Sequence, residues 1–488
     1  MPYSNSPSLS TYETKRVSFI SNPQQRSGRY PERDARLVNM MVEEIDSPVG
    51  SQKQFFVKSR PGLAPSHLVN SGTARGIFYW DFHGVPYTIT VVDAQIYYNG
   101  TFLANITTTT GPVGFTLFVA STGVVTLVMV DGTKGYEFSD PTVPPTTITS
   151  PDFPTPHLPF PIFMDGYLFL AKPDSQDIYN SNLDDATLWT AGDYISAEMY
   201  PDTIKALSKN NNYIYAIGND SVEYFLDAAN ATGSPLQRHE SAVQQFGIAA
   251  PYTVVQTEKE VIFIGQTGNG GHTVWTIDGF KEKEIGIPAI KNAFLEEGSD
   301  LDNATAFSLR VCGQKLYVIR LTSRTLVYSF DTKMWHEWAS GTTNESTFVG
   351  AFAADGPEGT AYVLNAGGGV VYNMSEDYLD DNGVTFMQEI TMAKEDFDTF
   401  NQKTMSRFTI IGDEPLDAPD SASKAVSIEW SDDDYRTWKT ARTLRFENDF
   451  PCIAQLGRFR RRAFRIRYTA PYFIRWEGIE VDINKGNQ

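Results

Sequence analysis

The chain has 488 residues, 41% hydrophobic and 13% aromatic, which excludes global disorder and leaves room for about two to four domains. Its 59 Asp and Glu outnumber 40 Lys and Arg, for a net charge of −19. The excess lies in residues 61–400, with 40 acidic against 16 basic side chains, so a body that grips nucleic-acid phosphate is excluded, though one that nucleic acid slides past is not.

The first 60 residues carry nine basic and six acidic side chains and are rich in Ser, Pro, Asn and Arg. The opening MPYSNSPSLSTYETKR lacks the apolar stretch of a signal peptide. With little alternation, residues 1–60 read as an extended N-terminal arm.

From residue 61 one pattern recurs: a short apolar strand, a polar turn and a second apolar strand. The first strands begin at Tyr87, Leu127, Tyr167, Tyr213, Val261, Leu316 and Ala361, in steps of 40, 40, 46, 48, 55 and 45 residues. Strand-only repeats of about 40–50 residues are the signature of propeller blades. Seven repeats predict seven blades, or six if one hairpin belongs elsewhere. Turn chemistry agrees at Asp131-Gly132, Asn219-Asp220, Gly268-Asn269-Gly270-Gly271 and Gly367-Gly368-Gly369. A phosphate cradle would need a helix after the glycines, and strand sequence follows instead. The best helical stretch, around Ala289–Leu295, is short.

Residues 94–130 carry no charge, but Ser121-Thr122-Gly123 divides two β-branched runs, which reads as a buried hairpin and not as a membrane span. The Pro-rich residues 141–161 read as a rigid loop between blades. Cys312 and Cys452 cannot build a disulfide scaffold and read as free thiols packed as small apolar residues. His67, His83, His157, His239, His272 and His336 lie far apart, and no metal, cofactor or catalytic group is expected.

Near residue 401 the repeat stops. Val426, Ile428 and Trp430 alternate with Ser427 and Glu429, and Phe464, Ile466 and Tyr468 with Arg465 and Arg467, which predicts a small β sandwich. The expectation is therefore all-β: an arm over 1–60, a β-propeller over 61–400 and a β-sandwich-like domain over 401–488.

Within that last domain, Ser431-Asp-Asp-Asp-Tyr-Arg-Thr-Trp438 resembles the Asp-box hairpin Ser-x-Asp-x-Gly-x-Thr-Trp, with Ser431, Asp433, Thr437 and Trp438 matching and Tyr435 in place of Gly. Asp433 should cap turn amides with Trp438 packed beneath, a structural role. A calcium site on Asp432–Asp434 lacks the alternating oxygen ligands and the Gly of a calcium loop. Asp-box hairpins also occur in sialidases, so a carbohydrate-binding or sialidase-like glycan-acting propeller is the alternative function. Its arginine cluster is hard to find, since residues 61–300 hold only Arg75 and Arg238.

The other charged feature is a stripe of six arginines, Arg458, Arg460, Arg461, Arg462, Arg465 and Arg467. It reads either as an exposed strand face with scattered ion pairs or as an interface that meets an acidic neighbour or phosphate.

Several pieces follow one another in a consistent order. They include Arg29-Tyr-Pro-Glu-Arg-Asp-Ala-Arg-Leu-Val-Asn39-Met, Arg60-Pro-Gly-Leu, Asp165-Gly-Tyr and Ile178-Tyr-Asn-Ser-Asn-Leu-Asp-Asp-Ala-Thr-Leu-Trp189. Pro201-Asp, Ile217-Gly-Asn-Asp-Ser-Val-Glu223, Gln245-Phe-Gly-Ile-Ala-Ala-Pro251 and Leu456-Gly-Arg-Phe-Arg-Arg-Arg complete the set. Together they resemble the tail hub, or nozzle, family of short-tailed bacteriophages, which includes packaged-DNA stabilisation proteins. The resemblance implies a structural virion protein: a homo-oligomer of six copies below the head-to-tail adaptor that extends the DNA channel. It also implies tailspikes or tail fibres docked outside, a tail needle or plug at the distal end, double-stranded DNA in passage, and assembly in the host cytoplasm.

Overall fold

The computed structural model describes residues 12–20, 35–46, 53–230, 232–268, 271–344, 346–415, 417–447 and 451–485. The chain divides into two compact units. One comprises Leu63–Leu326 and Thr347–Ser375; the other gathers Met1–Gly62, Val327–Ser346 and Glu376–Gln488.

The first unit is the β-propeller. Its first blade is Ala74–Phe82, Val85–Val92, Gln95–Tyr98 and Thr101–Asn105, each strand antiparallel to the next. The second is Gly114–Val119, Val125–Val130, Gly135–Phe138 and Thr146–Thr147; the third Ile162–Met164, Tyr167–Ala171, Asp177–Asn182 and Asp185–Ser196. Ile204–Asn210, Tyr213–Gly218, Val222–Asp227 and Leu236–Gln244 make the fourth. Val261–Thr267 and His272–Asp278 centre the fifth. The sixth repeat supplies the hairpin Thr305–Val311 and Gln314–Arg320. The seventh is Gly350–Asp355, Ala361–Asn365 and Gly368–Ser375, completed by Gly62–Ser71 from the start of the unit. Among the described residues, then, all seven expected repeats form strand hairpins. The helix Pro288–Glu297 lies between the fifth and sixth.

The apolar runs were conspicuous because blades stack face to face, burying both sides of each sheet. Leu127, Val128, Met129 and Val130 are all fully buried, as are Leu168, Phe169, Leu170 and Ala171. Alternate residues serve two different cores. Leu127 and Met129 pack with Ile89 and Val91 of the first blade, whereas Val128 and Val130 pack with Leu168 and Leu170 of the third. The uncharged residues 94–130 supply strands of the first and second blades, and among the described residues no helix is long and apolar enough to cross a membrane. The Pro-rich segment adds Thr146–Thr147 as an outer strand and buries Ile148 and Phe153 between blades. Gly132 (φ +93°), Gly368 (+62°) and Gly369 (+78°) take the left-handed backbone that their turns require. Asn269 and Gly270 lie outside the described residues.

The second unit packs two sheets around one core. In one, the order is Met40–Asp46, Lys53–Ser59, Arg475–Lys485, Lys403–Gly412 and Ile453–Phe459, with Tyr12–Ser18 also paired to Arg475–Lys485. The other contains Trp335–Trp338, Arg36–Val38, Gln388–Thr391, Ala463–Tyr468, Ala425–Ser431 and Arg442–Arg445. Phe408, Ile479 and Val481 from the first sheet meet Ile428, Phe464 and Ile466 from the second in the shared core.

These units differ from boundaries at 60 and 400. The described part of the arm is extended, but as strands that complete the C-terminal sheets. Residues 327–346 and 376–400 join the same unit because Trp335–Trp338 and Gln388–Thr391 flank Arg36–Val38.

Candidate functional site

The strand Ala463–Tyr468 lies between Gln388–Thr391 and Ala425–Ser431. Alternation buries Phe464, Ile466 and Tyr468 and turns Arg465 and Arg467 to the other face. There the register places Arg467 opposite Glu389 on one side and Arg465 opposite Glu429 on the other. Arg465 Nε donates to Glu429 Oε2 at 2.6 Å, and Arg467 Nε to Glu389 Oε2 at 2.8 Å. Burial alone would raise the Glu389 carboxyl, but Arg36 and Arg467 hold it below its ordinary value.

The remaining arginines of the stripe separate into two groups. Arg462 is 1% exposed and makes a two-pronged pair with Asp432; Arg461 Nη2 donates to Asp434 Oδ2 at 2.9 Å. Arg458 and Arg460 are exposed and, among the described residues, have no carboxylate within ion-pair distance. Four of the six stripe arginines are therefore paired within the unit. Strand register brings Glu429 and Glu389 to Arg465 and Arg467, and the turn after Ala425–Ser431 brings Asp432 and Asp434 to Arg462 and Arg461.

In the Asp-box-like hairpin, Asp433 is the hydrogen-bonding centre of the turn. Asp433 Oδ1 accepts from the Thr437 amide at 2.9 Å and from Ser431 Oγ at 2.8 Å, and Oδ2 accepts from Thr437 Oγ1 at 2.6 Å. The Thr437 hydroxyl and amide hold the Asp433 carboxyl down at about 2. The ring beneath the turn is Tyr435, not Trp438. Tyr435 is 6% exposed and donates its hydroxyl to Met392 O at 3.0 Å, at a φ of +66° where the motif has glycine. Trp438 is half-buried, with the Arg465 guanidinium 4.1 Å from its ring centroid. Asp432, Asp433 and Asp434 each face a different partner, and no metal-ligand cluster occurs among the described residues.

Two motif residues near the start form a junction that the sequence did not single out as one. Asn39, fully buried at φ +55°, accepts at Oδ1 from Arg60 Nε and from the Ala339 amide, both at 2.8 Å, and donates to Met387 O. Arg60, also fully buried, forks onto Asp381 at 2.7 and 3.0 Å and stacks on Phe386. Each residue belongs to one of the motifs that carry the family resemblance, which was the available signal; nothing marked Asp381 among its acidic neighbours. Residues 29–34 of the first motif lie outside the described residues.

In the propeller, the two arginines of residues 61–300 are structural. Arg75 donates to the carbonyls of Asp93, Thr108, Thr110 and Gly111, and Arg238 pairs with buried Glu223 at 3.0 Å. His157 is buried, with Nδ1 at 2.9 Å from Pro154 O while Nε2 accepts from the Gly132 amide, an arrangement that fits the neutral ring; burial lowers its pKa. Cys312 is half-buried and Cys452 exposed, neither in a disulfide, so only the former approaches the expected packed thiol.

Charge also divides by unit. The propeller unit holds 29 carboxylates against 14 Lys and Arg, whereas the other holds 30 against 26. Of the eleven acids that separate residues 61–400 from the propeller unit, eight lie in Glu376–Asp398 and three in Val327–Ser346; all belong to the second unit, where several meet basic groups. Lys15 pairs with Asp398, Lys58 with Glu376 and Arg60 with Asp381.

No curated protein matches the sequence. Solved structures resembling the chain include a streptogramin B lyase, at 11% identity and TM-score 0.41, covering 69% of this chain and 97% of that one. Virginiamycin B lyase from Staphylococcus aureus gives 10% and 0.42 over 69% and 98%, and the Myceliophteria thermophila Cps50 (Swd1) β-propeller domain 7% and 0.40 over 64% and 99%. The family model Phage_stabilise, described as Bacteriophage P22 Gp10, beta-propeller, matches residues 24–357, more than half of the chain. The chain belongs to this bacteriophage tail family, whose members are structural β-propeller proteins of the virion.

Proposed function

We propose that this chain forms the nozzle or hub ring of a short phage tail, in six copies below the head-to-tail adaptor. The ring extends the DNA channel, retains the packaged genome and passes it at ejection. Tailspikes or fibres dock outside, and a needle or plug closes the distal end. The role is structural and not catalytic, with assembly in the host cytoplasm.

The observation that carries this reading, beside the family match, is the segregation of charge. A propeller with 29 carboxylates and 14 cations presents phosphate with a repelling surface. DNA beside it releases few counterions and so moves without sticking. The partner-facing part of the arginine stripe narrows to Arg458 and Arg460.

Cryo-electron microscopy of virion tails tests the placement: sixfold density below the adaptor, fitted by this chain, is expected, and its absence refutes the ring. Reversing channel-facing propeller carboxylates to Lys should slow genome ejection and steepen its salt dependence. Unchanged ejection kinetics would refute the electrostatic part.

A further inference from the structure

Residues 396–401 form a loop held in an uncommon shape. Phe397 (φ +51°) and Asp398 (φ +67°) are consecutive left-handed residues, neither a glycine, a conformation that side chains with a β-carbon resist. Its anchors are specific. Phe397 is buried, edge-on to Phe459 with centroids 5.8 Å apart, and the Asp398 carboxylate pairs with Lys15 at 2.9 Å. The buried Lys403 ammonium donates to the carbonyls of Thr399, Asn401 and Arg460, the last two at 2.9 and 2.8 Å.

What the loop presents is Phe400, 59% exposed. The guanidinium carbons of Arg460 and Arg461 lie 5.7 and 5.6 Å from its ring centroid, and Arg460 Nη1 donates to its carbonyl at 3.0 Å. Asp434 neutralises Arg461, while Arg458 and Arg460 have no carboxylate partner among the described residues. An exposed aromatic held rigid between guanidinium groups has already lost the freedom that binding would otherwise remove. Aromatic and arginine side chains together are the enriched components of protein–protein interface centres.

We propose that the Phe400 knob with Arg458 and Arg460 is the surface by which one copy of this chain grips the acidic propeller unit of a second copy. The inference rests on the ring reading above and assigns the face that builds it. Rings of identical subunits need two different patches that meet head to tail. This chain carries a cationic aromatic knob on one unit and an excess of 15 carboxylates on the other. DNA is the less suited occupant, because phosphate would use the arginines and leave the phenylalanine ring in water.

The test replaces Phe400 in the full chain with photoreactive benzoylphenylalanine and irradiates both purified protein and assembled tails. The expected product is a cross-linked pair of copies whose second peptide maps to residues 63–326 or 347–375 and which disappears at about 0.5 M salt. Cross-links to DNA, to another tail protein or to nothing would overturn the proposal, as would a purified chain that never self-associates. A second variant, Arg458→Glu with Arg460→Glu, should weaken self-association by about tenfold or more while circular dichroism and Tm stay unchanged. Undiminished association overturns the assignment. Sixfold tails that lack the Phe400 cross-link would leave the nozzle reading standing and remove this one; cross-linked rings absent from tails would do the reverse.

Discussion

Arg462 and Asp432 face each other in a two-pronged ion pair, Nε to Oδ1 at 2.7 Å and Nη2 to Oδ2 at 3.0 Å. The arginine is almost wholly enclosed, its guanidinium 4.2 Å from the Phe459 ring centroid and 5.6 Å from that of Trp430. Removing the carboxylate from such a pair leaves a buried, uncompensated charge. Asp432→Ala, which strands the enclosed guanidinium, should therefore cost about 3 kcal/mol of stability in urea unfolding, and Arg462→Ala, which leaves the partly exposed Asp432, should cost less through charge. The double change Arg462→Met with Asp432→Leu should cost clearly less than Asp432→Ala. Equal losses in all three would mean that packing, not charge, dominates the site.

Asn39 joins three chain segments through one side chain at a left-handed backbone. Asn39→Ala strands the Arg60 Nε–H and the Ala339 amide and strains the backbone, for an expected loss of about 2 kcal/mol or more. Asn39→Gly relieves only the backbone and should recover a minor part. If glycine restored full stability in chemical denaturation, the hydrogen bonds would be immaterial.

Tyr435 occupies the glycine position of its motif at a positive φ, yet contributes a buried ring and a hydroxyl donated to Met392 O. Burial of an aromatic ring outweighs a strained backbone, by about 3 kcal/mol against about 1. Tyr435→Gly should therefore destabilise the unit despite matching the motif, and Tyr435→Phe should cost about 1 kcal/mol. A glycine variant with a higher Tm would reverse this ranking.

His157 has its pKa lowered by burial from the ordinary 6.5, and its Nε2 accepts from the Gly132 amide. The unfolded chain binds the proton first as pH falls. The stabilising contribution is thus present above about pH 6.5 and lost progressively below it, until the folded-state ring itself titrates. The urea midpoint of the wild type should fall more between about pH 7 and pH 5 than that of His157→Leu. Parallel pH profiles would show that His157 does not carry this dependence.

Much of the architecture was legible because blades are buried on both faces. Runs such as Leu127–Val130 and Leu168–Ala171 need no tertiary information to read as strands, and their spacing reveals the repeat. The alternation at Val426, Ile428 and Trp430 likewise marks a one-sided strand. The Asp-box hairpin was legible in its hydrogen bonds but not in its packing, since residue spacing does not reveal that Tyr435 rather than Trp438 fills the space beneath. Phe400 and Lys403 carried no signal at all. A lysine solvated by three carbonyls looks, in sequence, like any surface lysine.

The sequence by itself determined the β repeat and the acidic imbalance, because these follow from local periodicity and composition. Only the tertiary structure decided where the charge is spent. Glu389 and Arg467 stand 78 residues apart in the chain and 2.8 Å apart in space. Ion pairing depends on a few ångströms of separation, which strand register sets and composition does not. The same folding carried Glu376–Asp398 to the second unit, whose charges nearly balance, leaving a propeller 15 charges acidic and, of the six stripe arginines, only Arg458 and Arg460 without a carboxylate partner among the described residues.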